Sequence, residues 1–166
     1  MKLTTLGCWG AYPYKDGGTT SYLVTSEDGF QLLMDCGSRA VTELEKEISP
    51  LDLDAVIISH YHPDHVADLG VLRHYFQLYP KHLWEPKILP IYGHTEDEQE
   101  FAKLTLDGVS QGKAYDVNGV EKIGPFDITF IKTVHPVPCY AFRIVERATG
   151  QTLVFTGDTG YFEGLD

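Results

Sequence analysis

The sequence predicts a layered α/β fold in which antiparallel strand pairs dominate and helices cover the sheet. Three observations point to it. Apolar runs of strand length are separated by turn signals such as Asp28-Gly29 and Thr149-Gly150. Other segments carry apolar residues at helical spacing. Gly17-Gly18 and Gly7-Cys8-Trp9-Gly10 read as loops, and no phosphate-binding fingerprint follows a strand there, so a doubly wound nucleotide-binding sheet is not expected.

In order along the chain, Lys2–Leu6 is a short strand, and Ser21–Thr25 and Phe30–Asp35 form a hairpin about Asp28-Gly29. Ser38 is the expected cap of a helix running to Ile48, with Val41, Leu44 and Ile48 on one stripe and Pro50 ending it. Ala55–Ser59 is an apolar run that reads as a buried strand. Val66, Leu69, Leu72, Phe76 and Tyr79 recur at helical spacing and belong to the core. Lys87–Tyr92 is another strand, and Thr95 to Glu98 is a capping-box pattern opening a helix to about Leu106. The last third is β again: Phe126–Val134, Tyr140–Glu146 and Gln151–Thr156.

The 166 residues suffice for one domain with a real core, and 43% hydrophobic with 22% charged residues is ordinary for a soluble globular chain. A net charge of -11 argues against a long nucleic-acid footprint, which needs a basic face. A small phosphorylated substrate remains open, because a metal supplies local positive charge. Cys8, Cys36 and Cys139 match no disulfide frame or zinc finger and are expected reduced and mostly buried. The N-terminus lacks a signal-peptide stretch, no run approaches a membrane span, and the cytoplasm is the expected location.

The segment from Ser59 to His65 carries the chemistry. It places His60, His62, Asp64 and His65 within six residues, directly after the strand. Residues two apart on a strand point the same way, so His60 and His62 can share one metal. Asp64 and His65 lie on the turn into the next helix and can face a second. Without a cation these histidines would repel one another as they protonate. His135 follows a strand, stiffened by Pro136 and Pro138, and is expected as the third nitrogen ligand of the first metal. Asp158 ends the last strand between glycines that let the backbone come close, and its two oxygens can bridge two cations.

The run His60-Tyr61-His62-Pro63-Asp64-His65, followed by His135 and Asp158, resembles the metallo-β-lactamase superfamily. The finer wording of Asp64–Leu72, His135–Ile144 and Phe155–Thr159 is similar to its ribonuclease Z-like branch, and the likeness runs through nearly the whole chain. The resemblance implies a four-layer αββα sandwich with a dinuclear site on its edge, usually zinc, although manganese or iron also suits such ligands. By position, it implies that His60, His62 and His135 hold the first metal, Asp64 and His65 hold the second, and Asp158 bridges. Asp35, in Leu33-Met34-Asp35-Cys36-Gly37, matches an aspartate that orients the metal loop without ligating.

Two departures qualify the likeness. The family's second metal takes one more histidine well downstream, yet the sequence ends eight residues after Asp158. The expectation is a single metallo-hydrolase domain truncated at its C-terminus, with the second half of the sandwich incomplete, or else a homo-oligomer covering the exposed sheet edge. The second metal would then be weak, or completed by water or a neighbour. Members that process transfer RNA carry a long insert between the third histidine and the bridging aspartate; here His135 and Asp158 are only twenty-three positions apart.

The function expected is a metal-dependent hydrolase using a metal-bridging hydroxide on small phosphodiesters, with Asp64 orienting the hydroxide and moving its proton. A lactone or thioester hydrolase is the enzymatic alternative, and a metal-stabilised binding domain the non-catalytic one. His74 and His82 are expected to face solvent, and His94, at a strand end, is a further candidate for the pocket wall.

Overall fold

A computed structural model describes residues 1–80 and 85–163. One sheet has seven strands: β1 (Lys2–Trp9), β2 (Gly18–Thr19), β3 (Ser21–Thr25), β4 (Gln31–Met34), β5 (Ala55–Ile57), β6 (Leu89–Gly93) and β7 (Ser110–Ala114). They lie in the order β2-β1-β3-β4-β5-β6-β7. A second sheet has four: β8 (Glu121–Ile123), β9 (Phe126–Lys132), β10 (Tyr140–Glu146) and β11 (Thr152–Phe155), in the order β11-β10-β9-β8. The helices are α1 (Ala40–Leu44), α2 (Pro63–Val66), α3 (Leu69–Leu78) and α4 (Glu98–Ala102), with a 3₁₀ turn at Pro50–Asp52.

Side-chain alternation divides the core in two. Leu33, Val56 and Ile91 point to one face of the first sheet, where Val41, Leu44, Leu69, Leu72 and Phe76 of the helices cover them. Leu32, Met34, Ala55 and Ile57 point to the other face and meet Phe126, Ile128, Phe142 and Ile144 of the second sheet. Strands β4 and β5 are thus buried on both sides, which explains why their residues read as unbroken apolar runs. The second sheet buries one face only: in β9, Phe126, Ile128 and Phe130 are buried while Asp127, Thr129 and Ile131 are not. The described residues build a helical layer and two sheets, and no described helix packs on the outer face of the second sheet. The last strand, β11, pairs with β10 alone. Among the described residues no helix is long and apolar enough to cross a membrane.

Several local expectations need correction. Antiparallel pairs are the majority, as expected, and make up the whole second sheet, but β1-β2, β4-β5, β5-β6 and β6-β7 are parallel. The helices after β4, β5 and β6 are crossovers, and a crossover returns the chain in the same direction. Strands β2, β7 and β8 come from segments whose polar residues gave no alternation. Gly7 lies within a strand rather than a loop, because β1 and β2 approach so closely that a Cβ there would fall 1.9 Å from the Thr19 carbonyl oxygen.

Helix caps also differ from the expectation. Ser38 does not cap α1; Arg39 takes that position in the left-handed region, and the Asp68 carboxylate accepts from Val41 N at 3.2 Å. Asp68 N also donates to the Cys36 carbonyl at 3.1 Å, and the helix read as continuous from His65 divides there into α2 and α3. In α4, Asp97 rather than Thr95 is the N-cap, accepting from Glu100 N. Cys36 and Cys139 are buried thiols, while Cys8 is exposed.

Candidate metal centre

The centre lies where β4 and β5 end. Just past β4, Asp35 turns into the left-handed region (φ 54), a conformation aspartate tolerates better than most residues. Its carboxylate is fully buried. It accepts from Ser59 N and Ser59 Oγ at 2.7 Å each, and its Oδ2 lies 2.6 Å from His65 Nδ1. The Ser59 hydroxyl has one proton, and Asp35 takes it. Ser59 Oγ is therefore left to accept from His60 Nδ1, 3.1 Å away. This network sets both tautomers. His60 and His65 each spend Nδ1–H on the protein and present an Nε2 lone pair to the space beyond the strand ends.

Two sets of donor atoms converge there. His60 Nε2 lies 3.2 Å from His62 Nδ1, which lies 3.0 Å from His135 Nε2. Beside it, His65 Nε2 lies 3.4 Å from Asp158 Oδ1 and 3.6 Å from Asp64 Oδ2. The sets adjoin, since His60 falls within ligand distance of both. Two nitrogens on one tetrahedral zinc stand about 3.3 Å apart, close to the spacing of the first set. His65 Nε2 is a stronger indication: it is buried, has no hydrogen-bond partner, and aims a lone pair at two carboxylates. That arrangement is repulsive unless a proton or a cation lies between, so the residues present fit a metal.

The electrostatics agree. Burial, then the neighbouring histidines led by His65, push the His60 pKa down to about 2, so its ring is held neutral. Burial also lowers His135. For His65, burial alone would lower the pKa, but the hydrogen bond and charge of Asp35, with Asp158 and Asp64, raise it overall.

Backbone geometry brings the segments together. Gly37 allows the loop after β4 to pass against α2, where a Cβ would lie 2.1 Å from the Asp64 carbonyl oxygen. Gly157 adopts φ 58 against Cys139 and Tyr140. Thr133 Oγ1 donates to the Asp158 carbonyl at 2.8 Å, joining the ends of β9 and β11.

All six candidate ligands from the sequence, His60, His62, Asp64, His65, His135 and Asp158, come together at this one place. His74 is exposed on α3. His94 is almost fully buried between the Tyr61 and Tyr140 rings. His82 lies outside the described residues. Sequence reasoning missed two participants. Ser59 fixes the tautomers, and its place directly before His60 was the available signal. Ala11 donates its backbone N–H to Asp64 Oδ2 at 2.8 Å, a contact made by a loop more than fifty residues away, for which no local signal exists.

Fold and site together define a layered α/β domain with a candidate metal centre: residues 14–166 match the metallo-beta-lactamase superfamily, and the chain belongs to it. Among its relatives, the chain is 43% identical over 161 residues to the probable metallo-hydrolase YhfI of Bacillus subtilis, covering 97% of this chain and 65% of that protein. It is 29% identical over 140 residues to a ribonuclease Z of Methanopyrus kandleri, covering 84% of this chain and 48% of that protein. The crystal structure of Bacillus subtilis YhfI superimposes with a TM-score of 0.88 over 97% of this chain and 64% of that one. Human tRNase Z, short form, shares the fold at 21% identity, with a TM-score of 0.74 over 99% of this chain and 71% of that one. The chain thus spans less than two thirds of the length of both curated relatives. The superfamily is thus shown over most of the chain, and the chain's histidines cluster where β4 and β5 end.

Proposed function

We propose that the chain forms the metal-holding part of a hydrolase acting on small phosphodiesters, with zinc as the resident ion. The observation that carries this reading is the pair of adjoining donor sets built from three separate segments of chain. His60, His62 and His135 would hold one ion. His65, Asp64 and Asp158 would hold a second, more weakly because this set has one nitrogen. Manganese suits this carboxylate-rich set as well. Such ions, when bound, acidify water and offset the charge that builds on an attacked phosphoryl group.

The chain's own residues do the rest. Asp35 keeps His65 oriented through Nδ1, and Ser59 does the same for His60. Ala11 N–H holds Oδ2 of Asp64, the oxygen that faces His65, so the carboxylate keeps its direction and would orient a water and take up its proton. The fixed carboxylate costs no reorganisation when the reaction occurs. A small ester is favoured over a long nucleic acid by the net charge of -11. The kinship to ribonuclease Z supports phosphodiester chemistry over carbonyl chemistry.

The test compares a chromogenic phosphodiester with a lactone, each assayed with zinc, manganese and chelator. Metal-dependent turnover of the phosphodiester is the expected result. Lactone turnover alone would move the assignment to carbonyl hydrolysis. Background rates on both with every metal, joined to a large loss of melting temperature in His60→Ala, would leave a metal-stabilised binding domain.

A further inference from the structure

Four aromatic rings stand exposed among the described residues: Trp9, Tyr12, Tyr14 and Tyr161. Every other exposed large hydrophobic side chain is aliphatic. The placement of these four is not scattered. Trp9 ends β1, and Tyr12 and Tyr14 lie on the loop that follows, whose Ala11 N–H is hydrogen-bonded to Asp64. The fourth follows Gly160, whose N–H donates to the carbonyl of Val134 at 2.8 Å, next to His135. Both segments that carry exposed rings are therefore tied at the candidate metal centre by a backbone N–H, one to a carboxylate and one to a carbonyl.

The loop is built to hold its rings outward. Ala11 and Lys15 both sit in the left-handed region, at φ 62 and φ 52, which is costly for residues with a side chain and persists where the surroundings enforce it. Trp9 and Tyr14 pack at 5.2 Å between centroids. Gly17 leaves room for the indole, since a Cβ there would fall 2.3 Å from Trp9 Nε1. Lys15 Nζ lies 5.3 Å over the Tyr14 ring, and Arg39 donates to the Lys15 carbonyl at 3.4 Å. Flat apolar faces are thus combined in one short loop with Lys15, whose charge Asp16 balances. Tyr12 (69% exposed) and Tyr161 (81% exposed) offer the most free surface.

We infer that this aromatic rim is a base-stacking subsite: the substrate is a nucleotide ester, its phosphoryl group at the donor cluster and its base against Tyr12 and Tyr161. The inference rests on the phosphodiester reading and narrows it. A base has a π-face whatever its identity, so stacking gives affinity without strict choice among bases. Tyr12 is one residue from the amide that touches Asp64, and Tyr161 is one residue from the amide tied to the His135 segment. A second copy of the chain is the competing occupant, and the test separates it.

The chain is assayed with its metal on two esters that share a leaving group, thymidine 5′-(p-nitrophenyl) phosphate and methyl p-nitrophenyl phosphate. Stacking predicts that Tyr12→Ala lowers the preference for the thymidine ester, as the ratio of the two kcat/KM values, about ten-fold. Tyr12→Phe keeps the ring and should keep the preference. Loss on both esters alike, or an unchanged ratio in both Tyr12→Ala and Tyr161→Ala, overturns the inference. A direct binding arm stands apart from turnover: thymidine 5′-monophosphate and ribose 5-phosphate are titrated while the fluorescence of Trp9 is followed, with Trp9→Phe as control. Tighter binding of the nucleotide, weakened by Tyr12→Ala, supports stacking even if neither ester is cleaved and the phosphodiester reading fails. Equal affinity for both phosphates overturns it. Sedimentation that finds a dimer in the wild type and a monomer in Tyr12→Ala would also overturn it in favour of self-association.

Discussion

The candidate metal centre has two unlike halves. Asp35, Ser59 and His60 follow directly on β4 and β5, strands buried on both faces, His65 lies in the short α2 beside them, and each of the four is essentially inaccessible to solvent. His135 and Asp158 hang from the second sheet, which is buried on one face only, and both are partly exposed. The first half is tied together by protein hydrogen bonds through the Asp35 carboxylate. Besides its contact with His62, the second half has as its main support the Thr133 bond and short loop contacts. One side of the cluster is preformed by the fold, and the other is positioned so that a cation can draw it in. Preorganised ligands on rigid strands fix where the ion sits, while the softer side gives access.

The largest effect should come from the preformed half. Asp35→Ala would leave Ser59 N–H, the Ser59 hydroxyl and His65 Nδ1 buried without their acceptor, at a cost of about 3–5 kcal/mol. Asp158→Ala, at a side chain 42% exposed, should cost the metal-free chain less than about 1 kcal/mol while weakening metal binding. Urea unfolding in chelator measures both, and equal costs would erase the distinction between the halves.

Next comes the packing beneath them. Ile57→Ala, between the two sheets, should destabilise by about 2–5 kcal/mol. Ile131→Ala, on the open face of β9, should stay within about 1 kcal/mol. Comparable losses would mean that the outer face of the second sheet is covered in solution.

Acid should reach the preformed half through its neutral histidines. Burial holds His60 well below its usual value and lowers His94 as well, so the unfolded chain takes up protons that the folded chain refuses. Stability of the metal-free protein should fall as pH drops below 6.5, the ordinary histidine value, with each such group contributing up to about 1.4 kcal/mol per pH unit. His65 works the other way: its raised pKa adds stability at low pH that is lost as pH rises through its folded value. Melting temperatures in chelator between pH 7 and pH 5 give the sum, and a steady rise toward pH 5 would contradict the picture of His60. The smallest predicted effect is on local motion. Chelation should speed amide exchange around His135 and Asp158 more than around Ser59 to His65, and the reverse order would assign the soft half wrongly.

Much of this site could be read from residue order because its first half is local. His60, His62, Asp64 and His65 owe their convergence to strand alternation and one tight turn, both visible in sequence. His135 and Asp158 were found because each ends an apolar strand of ordinary length. What escaped depends on contacts across long separations. The grip of Asp68 on α1 replaces the cap expected from Ser38, and the Ala11 amide reaches Asp64 through a loop whose path no pattern records. Strands β7 and β8 escaped for a different reason. Ser110–Ala114 and Glu121–Ile123 lie at the edges of their sheets with one buried residue each, too few to show a period.

The central claim is that imidazoles and carboxylates from separate strands share bound cations, and counting metal tests it most directly. The chain is equilibrated with zinc or manganese, freed of excess, and its metal measured per protein beside His62→Ala. At least one tightly held ion per chain in the wild type, lost in the variant with a fall in melting temperature, is the predicted result. A wild-type chain that retains no metal, or a variant that retains as much, would contradict the account.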